Sequence, residues 1–125
     1  MASEQKSPTG RALDGVRVVS FEQVLAGPFC TSILGDMGAE VIKVEPPGGS
    51  PTRRIGPFYE DREDPERSLF FWQYNRGKRS NVLDLRQESD RNRFRSLVET
   101  ADVLLESMPR GELDGLGLST DTLMR

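Results

Sequence analysis

The sequence predicts an α/β fold built on a parallel sheet, and three features carry that prediction. Short runs rich in β-branched residues alternate with segments of helical period. The connections between them are short and marked by Gly and Pro, as strand–helix–strand crossovers require, and such crossovers are right-handed by rule. The length of 125 residues allows one domain at most.

The elements follow in order. Residues 1–12 (MASEQKSPTGRA) form a polar lead-in, read as disordered, and the folded part begins at residue 13. Residues 16–21 (VRVVSF) are the first strand, apolar enough to be buried on both faces. After the turn EQVLAGP a helix runs over residues 28–37. Pro28 suits its first turn, where a missing N–H costs nothing. Phe29, Ile33, Leu34 and Met37 make its apolar stripe, and Gly38 is its left-handed stop. Residues 40–45 (EVIKVE) are the second strand, and PPGGSP is a loop because its prolines and glycines forbid either regular element.

Residues 52–67 read as polar and irregular, and residues 68–74 (SLFFWQY) as a short helix. NRGK is a turn, and residues 80–85 (SNVLDL) are the third strand. Phe94, Leu97, Val98 and Ala101 then recur at helical spacing, with Ser89 as the expected cap and Asp90 in the favourable first turn. Residues 101–107 (ADVLLES) are the fourth strand, followed by the turn MPRGELDGLGL. Ser119 caps a last helix with Asp121 in its first turn. The sequence stops about one turn into that helix, and a helix nucleated but not extended is unfavourable, so the chain is expected to be a piece of a longer protein.

Composition excludes several functions. The net charge is −3, whereas a nucleic-acid-binding domain is usually basic. There is no His, which removes His general bases, Ser-His and Cys-His pairs and His metal ligands. The single Cys30 excludes an intrachain disulfide and a Cys-based zinc site, and it fits a reducing cytoplasm. No apolar run approaches the roughly 18 residues of a membrane span, and the opening residues lack the apolar core of a signal peptide. The expectation is a cytoplasmic protein with no metal, no membrane and no nucleic acid as partner.

In an open α/β sheet, ligands bind beyond the carboxyl ends of the strands. Four segments meet that condition: residues 23–28, 46–51, 83–86 and 107–111. LAGP leads into a helix N-terminus, which offers free N–H groups to an anion. Glu45 sits about where a dinucleotide fold places its ribose-binding acid, but the first turn has one Gly rather than three. A solvated strand end is the favoured reading of Glu45. Arg76, Lys78 and Arg79 follow Phe70, Phe71, Trp72 and Tyr74; base stacking is one reading, and core aromatics with cations lining a turn is the favoured one. A nucleotide-bearing cofactor with several phosphates needs only a few such cations. Cys30 reads as a packed helix residue, Asp36 as an exposed one, and Asp84 and Asp102 as structural. None is paired with a second acid for acid–base work.

Three blocks carry a resemblance: LDGVRVVSFEQVLAGPFCTSILGDMGAEVIKVEPPGG, then NRGKRSNVLDL, then ADVLLESMPRGELDGLGLS. In this order they resemble the amino-terminal part of class III CoA-transferases. This is the CaiB/BaiF type, with formyl-CoA transferases, carnitine CoA-transferases and α-methylacyl-CoA racemases as relatives. The resemblance runs from Leu13 to Arg125. It implies a Rossmann-like domain that binds coenzyme A, truncated here, from a longer chain that forms interlocked homodimers. The substrates implied are an acyl-CoA and a carboxylic acid acceptor. In the transferases an aspartate attacks the thioester and carries CoA as an aspartyl-CoA thioester, splitting one hard exchange into easier steps. That aspartate lies beyond Arg125, so no catalytic residue is assigned here.

The CoA contacts implied by the resemblance are Leu25 and Ala26 after strand one, Leu83 and Arg86 at the end of strand three, and Ser107, Met108 and Arg110 after strand four. Leu25 stands where formyl-CoA transferases have Gln, which argues against that specificity. Pro46 stands where a phosphate-binding Arg is common, leaving Arg53 or Arg54 to substitute. A second such Arg falls at Gly115, and Arg110 is its neighbouring replacement. The alternatives are a non-catalytic CoA- or nucleotide-binding module, a racemase-type isomerase fragment, and a subunit completed by a partner chain.

Overall fold

The computed structural model describes residues 10–124. Through residue 9 the expected lead-in lies outside the described residues. Four strands, β1 (Arg17–Phe21), β2 (Glu40–Glu45), β3 (Arg79–Val82) and β4 (Val103–Glu106), form one parallel sheet in the order β3-β2-β1-β4. Between them lie helices α1 (Ala26–Asp36), α2 (Leu69–Asn75) and α3 (Glu88–Glu99), and after β4 come the short α4 (Glu112–Gly115) and α5 (Thr120–Leu123). The expected α/β fold is what the chain adopts.

Alternation along the strands builds two different faces. Val19 and Phe21 of β1 and Val44 of β2 join Leu83, Leu85, Phe94, Val98 and Leu118 in the main core under α3. Phe21 and Phe94 meet edge to face at 5.6 Å. The other face places Val18 and Val41 with Ala39, Leu13, Val16 and Leu34 beneath the C-terminal half of α1. Further along that face come Ser20 and its register partner Lys43, both buried, so the apolar layer gives way to a polar one.

Several expectations hold. Gly38 ends α1 at φ 114°, with its own N–H and that of Ala39 donated to Gly35 and Leu34, a Schellman stop. Ser68 caps α2 by accepting from Phe71 N, and Ser119 caps α5 by accepting from Thr122 N. The α3 stripe is as read, with Phe94 and Val98 buried and Leu97 and Ala101 packed against the core.

Others are corrected. Helix α1 begins at Ala26, and Pro28 lies inside its first turn. Its buried residues are Pro28, Thr31 and Ser32, while Phe29, Ile33 and Met37 of the expected stripe are exposed; Phe29 is 54% exposed. The polar layer beneath the helix selects the hydroxyl face. The third strand ends at Val82 rather than residue 85, and Leu83 and Leu85 reach the core from the turn that follows. The cap position of α3 is Gln87, not Ser89, whereas Asp90 lies in the first turn as expected and also accepts from the N–H of Asp84. The stretch expected to be irregular holds two short 3-10 turns, Pro51–Arg54 and Tyr59–Asp61. No helix among the described residues is long and apolar enough to cross a membrane.

Candidate functional site

The strand order reverses between β1 and β4: from β1 the chain adds β2 and β3 to one side and then returns to place β4 on the other. In such sheets the usual ligand position is the crevice beyond the strands' carboxyl ends at this point. Two loops line it, the β1–α1 turn and the segment after β4. They are tied together where Gln23 N donates to Ser107 Oγ at 3.0 Å.

The β1–α1 turn is tightly constrained. Val24 has φ 63°, a conformation a β-branched residue adopts only when its surroundings hold it there. At Gly27 a Cβ would lie 2.3 Å from Glu22 Cγ, so only glycine lets α1 start this close to β1. Leu25 and Ala26 consequently face solvent at the mouth of the crevice. No side chain caps α1, which leaves the N–H groups of its first turn open.

Behind this turn lies a buried charged cluster. The Glu22 carboxylate accepts from the Ser20 hydroxyl and, at 3.3 Å, from Thr31 Oγ1. Lys43 Nζ is 3.5 Å and Lys78 Nζ 3.6 Å from Glu22 Oε1. Lys78 also donates to the Pro28 carbonyl at 2.9 Å and to Asn75 Oδ1 at 3.0 Å. Burial pushes Lys78 down to about 8; Glu22 opposes the fall and Lys43 adds to it. Sequence reading placed Lys78 on an open turn, but its side chain folds back under α1.

After β4, Ser107 is fixed by Gln23, and Met108 N donates to Glu106 Oε2. Met108 packs against the main core, while Arg110 is exposed and makes no ion pair among the described residues. A cavity of about 1010 Å³ runs along the open edge of β4 under α3 and α5. It includes Met108 and Arg110 but not Leu25 or Ala26, so it follows an unpartnered strand edge rather than the crevice.

The other expected contacts stand differently. Leu83 is a core residue, 2% exposed, so its side chain cannot face a ligand. Arg86 is exposed and held by Asp84 through bonds of 2.8 and 2.9 Å, which lower Asp84 and raise Arg86 from their ordinary values. Both follow β3, at the opposite edge of the sheet from β4.

Glu45 is not a solvated strand end. It is buried and accepts from Arg53 Nη2 at 2.7 Å, Arg53 Nε at 2.8 Å, Ser50 N at 2.6 Å and Ser80 Oγ at 2.7 Å. Burial alone would raise it, but these bonds together hold it at about 2. Neither oxygen is free for a ribose, and Arg53 is committed as well. Of the two arginines that were candidates to replace the residue at Pro46, Arg54 alone remains exposed. Asp36 pairs with Arg76 on the surface, Asp102 accepts from Arg17 N, and Cys30 is exposed rather than packed.

The sequence model of CoA-transferase family III matches residues 13–125. A succinyl-CoA:mesaconate CoA-transferase of Haloarcula hispanica is 47% identical over 112 residues, covering 90% of this chain and 28% of that protein. An acetyl-CoA:oxalate CoA-transferase of Acetobacter aceti is 46% identical over 113 residues, again covering 90% of this chain and 28% of that protein. The crystal structure of a CAIB/BAIF family protein from Brucella suis superposes with a TM-score of 0.82 at 42% identity, covering 91% of this chain and 30% of that one. The chain therefore spans under a third of the length of the relatives it matches.

Proposed function

The chain belongs to CoA-transferase family III, and from that membership we propose that residues 13–125 are the amino-terminal, coenzyme-A-binding part of an enzyme that moves CoA between carboxylic acids. The crevice between β1 and β4 carries the proposal. It brings the apolar Leu25 and Ala26, the open first turn of α1, Ser107 and the unpaired Arg110 to one end of the sheet. That set suits a long thioester carrier with an apolar arm and a phosphorylated end: Leu25, Ala26 and Met108 against the arm, Arg110 and Arg54 toward phosphate. Arg86 reaches phosphate only by giving up part of its pair with Asp84. Leu83 contributes as a core support of the β3 end.

The reaction proposed for the whole enzyme begins with an aspartate outside this chain. Its carboxylate attacks the acyl-CoA carbonyl, and CoA leaves as the thiolate with formation of a mixed anhydride. The thiolate then attacks the aspartyl carbonyl and expels the donor acid as a carboxylate. Attack by the acceptor carboxylate on the aspartyl-CoA thioester, followed by return of the thiolate, delivers the new acyl-CoA. A cytoplasmic, interlocked homodimer is the assembly proposed for it, and no metal takes part. The test is isotope exchange between an acyl-CoA and its labelled free acid. A protein extended to family length should exchange label, and the 125-residue chain should not. Exchange by the chain alone would overturn the placement of the nucleophile. No exchange by the extended protein, with CoA still bound, would favour a non-catalytic module.

A further inference from the structure

We propose that Lys78 is a positioning residue for the CoA edge: through Glu22 and the Pro28 carbonyl, its ammonium fixes the first turn of α1 and with it the outward-facing Leu25 and Ala26. This rests on the function proposed above for the crevice. The geometry is that of a clamp. Lys78 lies just before β3, and its buried side chain reaches Pro28 O at 2.9 Å and Glu22 Oε1 at 3.6 Å. Glu22 in turn fills the space that the missing Cβ of Gly27 leaves. One end of the clamp thus holds the helix backbone two residues past Ala26. The other holds the residue that starts the turn.

Alternative supports are weak. Thr31 Oγ1 lies within reach of Glu22 Oε1 at 3.3 Å, of Ser20 Oγ of β1 at 3.5 Å and of carbonyls of its own helix, but it has one proton to share among them and ties the turn to nothing outside β1 and α1. Lys43 touches Glu22 at 3.4 and 3.5 Å but nothing in α1. Lys78 alone of the cluster's cations contacts both ends of the turn. Tension in the turn, visible at Val24, is what such a clamp would oppose. The groups facing the Lys78 ammonium are Glu22 after β1, Lys43 of β2, Cys30 of α1 and Asn75 of α2. Its lowered value, about 8, puts loss of its charge within the range in which the protein can be handled.

The test compares the chain with Lys78→Arg and Lys78→Met by calorimetric titration with coenzyme A from pH 6.5 to 9.5. The unmodified chain should lose about five- to tenfold in affinity across this range, with a midpoint near 8. Lys78→Met should bind weakly at every pH, and Lys78→Arg, always charged, should bind tightly without that midpoint. Ionisations of CoA itself are common to all three and drop out of the comparison. Equal affinity and equal pH dependence in all three would overturn the proposal.

A second readout separates its failure from that of the CoA assignment. The amide resonances of Leu25, Ala26 and Gly27 should shift with the same midpoint as the Lys78 side chain, and should not do so in Lys78→Arg. Such coupling without CoA binding would support the clamp and refute the CoA edge. CoA binding without such coupling would refute the clamp and keep the edge. Should Lys78→Met fail to fold, the contrast between Lys78→Arg and the unmodified chain decides by itself.

Discussion

Replacing Glu45 by Gln keeps the shape of the side chain and removes its charge. In the native protein the carboxylate holds at about 2 against an ordinary value of 4.5. The difference converts by linkage to about 3 kcal/mol of stability. The sign follows from the direction. A carboxylate lowered by folding stabilises the protein above its unfolded value, and that contribution drains away as the pH falls from about 4.5 toward 2. In Glu45→Gln the Arg53 guanidinium, 12% exposed, retains its place over the Phe71 ring at 3.9 Å and its contact with the exposed Glu66 at 3.3 Å. These offset part of the cost, so the expected loss at pH 7 is about 2–3 kcal/mol, at the lower edge of what breaking a buried pair costs. The melting temperature should fall by about 8–12 °C for a domain of this size. Urea unfolding followed through the single Trp72, compared at pH 7 and at steps down to pH 2.5, measures it. The gap between the two proteins should narrow across the lower half of that range. A gap below about 0.5 kcal/mol at pH 7, the usual scatter of surface changes, would refute the reasoning, as would a gap that ignores pH.

Gly27→Ala should cost about 1–3 kcal/mol or prevent folding, because its Cβ would meet Glu22 Cγ at 2.3 Å and Glu22 is pinned on several sides; thermal unfolding monitors it. Arg110→Ala should weaken coenzyme A binding by about 1–3 kcal/mol if the guanidinium pairs with a phosphate. Its effect should shrink at high salt, since exposed pairs are screened beyond about 8–10 Å; calorimetry at two salt concentrations reads both, and an Arg93→Ala control should bind unchanged. Ile33→Ser should change the stability of this chain by less than about 0.5 kcal/mol because the α1 stripe it belongs to is exposed; a large destabilisation would show that the stripe is packed.

What was legible in the sequence follows from how local each cause is. The β-branched runs gave β1 and β2, and Ser68, Ser119 and Gly38 acted as the caps and stop their types favour, because a cap is decided within a few residues. The inward face of α1 was hidden, since its apolar spacing was real but the partner surface at Ser20 and Lys43 is polar. Periodicity reports only that a helix has two faces. Glu45 looked solvated because its partner, Arg53, lies across a loop whose return depends on Gly49 at φ 83° and the turn that follows. Lys78 was misplaced for a similar reason, as its contacts lie 50 residues away at Pro28 and further still at Glu22. The end of β3 was overextended because Leu83 and Leu85 are as apolar as strand residues, although they reach the core from a turn.

The crevice was legible in outline. Strand ends and the first helix turn pointed to residues 23–28 and 107–111, and the sheet order joins those two segments at Gln23 and Ser107. The third segment could not be judged from sequence, because whether Leu83 faces out or in depends on where β3 stops. Nor could the cations be sorted by position along the chain. Arg53, Arg54, Arg86 and Arg110 differ in which carboxylates lie nearby in space, and two of the four are taken by Glu45 and Asp84.

Mapping coenzyme A onto the isotope-labelled chain by amide chemical shifts tests the central claim most directly. Binding at the β1–β4 crevice should shift Leu25, Ala26, Gly27, Ser107, Met108 and Arg110, leaving the amino ends of the strands, at Arg17, Glu40 and Val103, in place. Shifts concentrated at those amino ends, or none at saturating coenzyme A, would contradict the account.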